Sequence, residues 1–87
     1  MDERLGFVGI LLENRTRNSA PVNRILSEHG DGILARTGIP NVDGTRCVIT
    51  LVVRMSTDAV GRLTGQLGAL DGVQVKSGLL TAGGGPG

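Results

Sequence analysis

Few side chains in this 87-residue sequence could take part in catalysis, because it contains one histidine and one cysteine. His29 falls on the apolar side of the last turn of a predicted helix, where a partial positive charge is favourable. Cys47 begins a predicted central strand, which is typical of a buried structural thiol. A Cys–His nucleophile pair requires the two side chains to meet, and a full set of metal ligands could form only across subunits. We therefore predict no catalytic residue, no metal ligand and no cofactor, and leave open whether His29 and Cys47 meet between subunits.

The segment before the first predicted helix is a better candidate for binding. Residues 14–18 (NRTRN) have the composition of a polar loop, and Ser19 is a favourable N-cap with Pro21 just inside the helix. A helix N-terminus beside arginines can hold a carboxylate or a phosphate. The alternative is a solvated polar loop, and no phosphate-loop or dinucleotide glycine motif accompanies the segment. The candidate ligand-binding residues are Asn14, Arg15, Arg17, Ser19, Ala20 and Gly38, with the free N–H groups expected at Ala20 and the residues after it.

Six predicted elements position these residues. They are strands at 5–13, 33–39, 47–55 and 73–80, a helix from Ser19 to Gly30, and a helix capped by Ser56 and Thr57 and ended by Asp71-Gly72. The order β-α-β-β-α-β predicts an α+β ferredoxin-like fold, with a four-stranded antiparallel sheet and two helices on one face. In that fold the first and third strands are central, and here they are the most apolar. Pro40 and the polar Arg36, Lys76 and Ser77 fall on the predicted edge strands, where such residues are tolerated.

Composition limits the domain organisation and the class of protein. The length favours one domain, at residues 1–80, followed by a flexible Gly-rich tail at 81–87. A net charge of +1 and a single aromatic residue argue against direct binding of nucleic acid, by bulk charge or by stacking. No apolar run approaches the roughly 20 residues that span a bilayer, and the N-terminus lacks the layout of a signal peptide. We therefore expect a cytoplasmic protein with no membrane partner.

One face of the sheet is expected to remain uncovered, because two helices cover only one face of four strands. That face carries Val48 and Val52, joined by one of two alternating sets of the first strand. An apolar patch on a small domain usually marks an interface, and the alternative is a monomer with an apolar sheet surface. The two sets left open are Phe7/Leu11 and Val8/Ile10/Leu12.

Three glycines fall together on the second predicted helix, nearly opposite its buried stripe. Each glycine inside a helix costs about 1 kcal/mol relative to alanine, so we interpret them as a face for close subunit packing. A poorly optimised solvent face is the alternative. The predicted assembly is a homodimer or homotetramer, with Val48, Val52, Gly61, Gly65 and Gly68 as the candidate interface.

Three longer segments carry a family resemblance. They are VNRILSEHGDGILARTGIP (22–40), CVITLVV (47–53) and STDAVGRLTGQLGALDGVQVKSGL (56–79). Together they resemble the small ACT-like proteins described as regulators of the iron-only hydrogenase system, over about residues 5 to 80. The resemblance implies a ferredoxin-like ACT or regulator-type domain that forms dimers or tetramers and binds a small effector. The chain is more distantly similar to the C-terminal domain of nickel-responsive repressors. It lacks their His/Cys ligand set and their N-terminal ribbon-helix-helix segment, so any transcription regulation is expected to act through another protein.

The leading hypothesis is a non-enzymatic regulatory or ligand-binding module that acts as an oligomer. Its expected partners are further copies of itself, a small anionic effector and a protein partner. Two alternatives remain: a small dimeric ferredoxin-like enzyme that uses the sheet–helix cavity, and a structural partner subunit without a ligand. Among the residues suited to acid–base or nucleophilic work, the enzyme could draw only on His29 and Cys47.

Overall fold

A computed structural model describes residues 3–80, except for the side chain of Arg15, and the predicted tail at 81–87 lies outside this range. The elements follow in the order β1 (Glu3–Glu13), α1 (Arg15–Glu28), a 3-10 turn (Gly30–Gly32), β2 (Ile33–Ile39), β3 (Arg46–Ser56), α2 (Thr57–Gly68) and β4 (Val73–Leu79). The four strands form one sheet in the order β2-β3-β1-β4, and every neighbouring pair is antiparallel. The predicted α+β ferredoxin-like βαββαβ fold is confirmed, with β1 and β3 in the centre.

The pairing of β1 with β3 sets which residues face the helices. It runs over the full length of both strands, from Glu3 opposite Ser56 to Glu13 opposite Arg46. Because side chains alternate between the faces of a strand, this register places one alternating set of each strand against the helices. On β1 the inward set is Val8/Ile10/Leu12, so Phe7 and Leu11 belong to the uncovered face, which resolves the two sets left open by the sequence.

The core lies between this covered face and the two helices. Its side chains are almost entirely apolar, since a chain of this size can bury only a thin core and must fill it closely. The buried apolar residues are Val8, Ile10, Leu12, Val22, Ile25, Leu26, Cys47, Ile49, Leu51, Val53, Met55, Val60, Leu63, Leu67 and Val73.

α1 begins four residues earlier than the sequence predicts, so Ser19 as its N-cap was wrong. The residue before the helix is Asn14, in the left-handed region at φ 53°, and its side chain makes no capping hydrogen bond. Asparagine tolerates this conformation better than most residues, which lets the chain turn from β1 into α1 within one residue. The buried Asn18 then donates from Nδ2 to the Glu13 carbonyl oxygen at 2.6 Å. This bond, between residues five apart in the sequence, joins the first turn of α1 to the end of β1. Pro21 therefore lies inside the helix, not at its start.

α2 begins where the sequence predicts, because the Ser56 hydroxyl accepts a hydrogen bond from the Ala59 N–H at 3.1 Å. The helix ends at Gly68, and the chain turns into β4 through Gly72 at φ +77°. His29 follows the last residue of α1, and its Nε2 lies 2.8 Å from the Gln66 Oε1 of α2. This hydrogen bond joins the two helices on the outside of the layer.

Candidate functional site

A pocket of about 270 Å³ lies between α1 and the edge strand β2, and we call it the α1–β2 pocket. Its floor is formed by apolar side chains of β1, α1 and β3. Its rim is formed by polar groups of α1 and by the last residues of β2. The lining residues are Leu12, Ser19, Val22, Asn23, Arg36, Gly38, Ile39, Pro40, Cys47, Val48 and Ile49.

The floor belongs to the hydrophobic core. Leu12, Val22 and Ile49 are buried, and the Cys47 thiol is buried beside them. These residues are held by the covered face of the sheet and the inner face of α1. The floor is therefore a rigid apolar surface that favours an apolar group.

The rim carries a positioned cation. The Arg36 Nη2 of β2 donates a hydrogen bond to the Asn23 Oδ1 of α1 at 2.6 Å, which bridges the two walls of the pocket. Arg36 is the one charged side chain among the residues that line the pocket in the described part of the chain, and no carboxylate lines it. The local field at the mouth is therefore positive and attracts anions.

The structure distributes the predicted ligand-binding residues over different places. Ser19 and Gly38 line the α1–β2 pocket, whereas Asn14 lines a separate polar depression beside the β2–β3 loop. Arg17 and Ala20 are exposed on α1 and line neither, and the side chain of Arg15 lies outside the described part. The expectation of free N–H groups at Ala20 was wrong, because α1 begins at Arg15 and its first turn lies before Ser19.

The sequence reasoning missed the two groups that bridge the mouth of the pocket. Asn23 lies one helical turn after Ser19, beside the inward-facing Val22, which is a detectable signal for a polar edge on the buried face of α1. Arg36 was interpreted only as a residue that an edge strand tolerates. Nothing in the local pattern predicts that it meets Asn23, because 13 positions separate them.

The loop between β2 and β3 is closed by an ion pair. Arg46 Nε donates to Asp43 Oδ2 at 2.7 Å, and its Nη2 also contacts that oxygen. The side-chain hydrogen bond from Arg46 lowers the pKa of the Asp43 carboxyl, and the same bond raises the pKa of Arg46. The Asp43 Oδ1 also accepts from the Arg46 backbone N–H at 3.2 Å. The pair shapes the loop that carries the polar depression.

The sheet surface opposite the helices carries a patch of apolar side chains, which we call the open sheet face (Leu5, Phe7, Leu11, Ile39, Val48 and Val52). Thr50, Arg54, Gln74 and Lys76 are polar residues on the same surface. Phe7 is directly opposite Val52, and Leu11 is directly opposite Val48. Phe7 is 52% exposed and Val52 is 43% exposed although both lie in the middle of the sheet. Contiguous exposed apolar side chains on a domain of this size are typical of an interaction surface.

The α1–β2 pocket and the open sheet face share two residues. Ile39 and Val48 are cross-strand partners on β2 and β3, and both also line the pocket. Ile39 is 51% exposed, so a large part of its side chain is available to a neighbour. A shift of this pair would therefore change both the α1–β2 pocket and the open sheet face.

The three glycines of α2 have different surroundings. A Cβ at Gly61 or Gly65 would meet no other atom within 4 Å, so both stand on an open surface. A Cβ at Gly68 would lie 3.5 Å from Val75 Cγ1, so this glycine faces β4 of its own chain. Close packing against another subunit, if it involves this helix, therefore has room at Gly61 and Gly65.

His29 and Cys47 are not brought together within the chain. His29 lines a cavity with Met55 and Ser56 at the end of β3, whereas Cys47 lies at the start of the same strand. Within residues 3–80, no group of three or more His, Cys, Asp or Glu side chains is placed to hold a metal ion. Among the same residues, no helix has the length and apolarity needed to cross a membrane.

These features define a small ferredoxin-like α+β domain with a pocket at one sheet edge and an uncovered apolar face. The chain belongs to the TM1266-like family, described as "Iron-only hydrogenase system regulator, putative", whose family model matches residues 4–77. This confirms the family resemblance seen in the sequence.

Solved structures agree with this assignment. The uncharacterized protein TM1266 from Thermotoga maritima is 32% identical, with a TM-score of 0.87 over 92% of this chain and 100% of that one. Two more distant structures share the fold alone. The C-terminal domain of MgtC from Mycobacterium tuberculosis is 16% identical, with a TM-score of 0.64 over 97% of this chain and 95% of that one. CPII, a nitrogen regulatory PII-like protein from Thiomonas intermedia K12, is 20% identical, with a TM-score of 0.53 over 88% of this chain and 90% of that one. A comparison with curated protein sequences gives no significant match.

Proposed function

We propose that this chain is a non-enzymatic regulatory module that binds a small anionic effector and self-associates through the open sheet face. Binding of the effector shifts assembly, or the affinity for a protein partner of the regulated system. The observation that carries the proposal is that Ile39 and Val48 belong to both the α1–β2 pocket and the open sheet face. Membership of a regulator family supports the regulatory role.

The chemistry of the pocket favours binding over catalysis. Its rim offers a hydroxyl, an amide and a guanidinium, and its floor offers one buried thiol. A guanidinium keeps its proton at neutral pH, so Arg36 can bind an anion but is a poor acid or base. His29, the one histidine, lies outside this pocket and is hydrogen-bonded to Gln66.

Self-association follows from the size of the domain and the nature of its surface. A chain of 87 residues leaves a large part of its unfolded surface exposed after folding. The open sheet face adds half-exposed Leu5 and Phe7 to that surface. A second copy related by a twofold axis would cover this face with an identical apolar face.

The proposal is tested by measuring the mass of the native assembly with and without its small-molecule load. We expect light scattering to give a dimer or tetramer of the 9.0 kDa chain at micromolar concentration. Native mass spectrometry of the purified protein should release a small anion, and removing that anion should change the dissociation constant of the assembly.

Three results separate this proposal from its alternatives. A monomer under all conditions would contradict the assembly. An oligomer that captures a protein partner with no dependence on any small molecule would instead support a structural subunit. Turnover of the released molecule by the protein would support an enzyme.

A further inference from the structure

The α1–β2 pocket has two chemically distinct ends. Its floor is formed by the buried side chains of Leu12, Val22 and Ile49, which offer no hydrogen bond. Its mouth carries Arg36 and Asn23. Because burying a polar group without a partner is costly, a ligand must place an apolar group on the floor and its polar group at the mouth.

The guanidinium at the mouth is held in position before any ligand arrives. The Asn23 Oδ1 accepts one hydrogen bond from Arg36 Nη2 at 2.6 Å. A guanidinium has five N–H donors, so donors remain for a second acceptor. A guanidinium offers two parallel N–H groups that match the two oxygens of a carboxylate. Holding the side chain beforehand reduces the conformational entropy lost on binding.

Charge and size narrow the class of ligand further. One guanidinium balances one negative charge, and the described lining holds no other charged side chain. The cavity of about 270 Å³ lies just below the usual range for ligand sites, which begins at about 300 Å³, so the ligand must be small. Phe7, the one Phe, Tyr or Trp of the chain, lies on the open sheet face, and His29 lies outside the pocket, so no aromatic ring in the pocket can stack on a nucleotide base.

We infer that the α1–β2 pocket binds a small monocarboxylate with a compact apolar group, whose carboxylate is held by Arg36. The inference rests on the proposed function, because it names the class of the effector and its anchor. It moves the anion contact from the start of α1 to the β2 edge of the sheet. The apolar group lies on Leu12, Val22 and Ile49, next to the Cys47 thiol.

The test is calorimetric titration with isovalerate, its neutral amide isovaleramide, and inorganic phosphate. We expect wild-type protein to bind isovalerate at least tenfold more tightly than either of the other two. Arg36→Gln should weaken isovalerate binding at least tenfold and leave the weak binding of the amide unchanged. Arg62→Gln, which removes an exposed arginine on α2, is the matched control and should behave as wild type.

Cys47 gives a second readout of binding, because it is the one cysteine of the chain and its buried thiol reacts only when the structure around the pocket floor opens. Isovalerate should slow alkylation of Cys47 by iodoacetamide, with a midpoint that matches the calorimetric dissociation constant. In Arg36→Gln that midpoint should rise at least tenfold. Both readouts use folded protein, since Arg36 is exposed and contributes nothing to the core.

Equal binding of acid and amide, unchanged affinity in Arg36→Gln, or no binding of isovalerate at millimolar concentration would each overturn the inference. These failures are distinguishable from failure of the proposed function. If a strict monomer binds isovalerate through Arg36, the inference about the ligand stands and the proposed self-association is wrong. If the protein is a defined oligomer that does not bind isovalerate but releases another class of anion, the proposed function stands and the inference about the ligand is wrong.

Discussion

A single charge on the open sheet face should separate the subunits, and the chain offers a matched control for this substitution. Val52 is 43% exposed in the centre of the face, and Val42 is 42% exposed in the loop between β2 and β3. Val52→Lys and Val42→Lys therefore make the same chemical change at the same exposure and add the same net charge. They differ in whether the side chain stands on the proposed interface and in that Val52 lies in a strand whereas Val42 lies in a loop, so the fold of each variant is checked separately.

The magnitude follows from the exposed part of the valine. Burying a whole valine side chain contributes about 1.5–3 kcal/mol, so covering the exposed 43% contributes roughly 0.6–1.3 kcal/mol in each protomer. A twofold interface loses this contribution twice, or roughly 1.3–2.6 kcal/mol, which is a tenfold to nearly hundredfold weaker dimer. The lysine ammonium adds to this loss, because it must also leave water or force the subunits apart.

The assay is sedimentation equilibrium over a range of protein concentrations, with far-UV circular dichroism to check that each variant is folded. We expect the dissociation constant of Val52→Lys to rise at least tenfold, whereas Val42→Lys retains the wild-type value. Equal dissociation constants for the two variants would refute the argument that the open sheet face is the interface. A folded Val52→Lys monomer would also show that the domain is stable without its partner copy.

Three further predictions concern the fold around the sites, all measured by urea unfolding at a fixed protein concentration. Gly6→Ala should lower the free energy of unfolding by about 1–3 kcal/mol, because its Cβ would lie 2.6 Å from a β4 carbonyl oxygen. Gly9→Ala is the control, because its Cβ would have no neighbour closer than 4.0 Å, and it should retain full stability. Asn18→Ala should cost about 1–3 kcal/mol, because it leaves the last carbonyl of β1 without its side-chain donor; an unchanged value would show that water replaces the amide. Arg46 lowers the pKa of Asp43, so the ion pair of the two residues stabilises the folded protein above the ordinary pKa of aspartate. This contribution to the free energy of unfolding is lost as the pH falls through the lowered pKa. Wild type should thus lose its advantage over Asp43→Asn in acid, and a constant difference would contradict this.

The proposed coupling between ligand and assembly has a simple physical form. Ile39 and Val48 line the pocket, and both also belong to the open sheet face. A ligand that fills the pocket restricts this pair before a second subunit docks on it. The conformational entropy of the pair is then lost only once for two binding events, which makes the two events cooperative.

Local pattern was sufficient for the elements and for their order in the sheet. The strongly apolar segments at β1 and β3 and the Ser56 cap are short-range signals, and the structure confirms each of them. The second helix ends at Gly68, three residues before the predicted end at Asp71-Gly72. The start of α1 was wrong because Ser19 and Pro21 are typical of a helix start, whereas the chain enters the helix from Asn14, in the left-handed conformation. A hydrogen bond from Asn18 to the carbonyl oxygen of Glu13, five residues earlier in the chain, accompanies this start.

The site could be predicted only in part, because some of its residues meet only through packing between elements. Ser19 and Gly38 line the pocket, but Arg36 and Asn23 were missed, since a strand residue and a helix residue meet there only after the β2 edge packs beside α1. The choice of Phe7 rather than Val8 for the uncovered face likewise depended on the register between β1 and β3. Composition and periodicity act over a few residues and determine which elements form, that two faces of the sheet differ, and which family the chain resembles. Packing between elements acts over the whole chain, and it decided which side chains share a pocket and which apolar set is exposed.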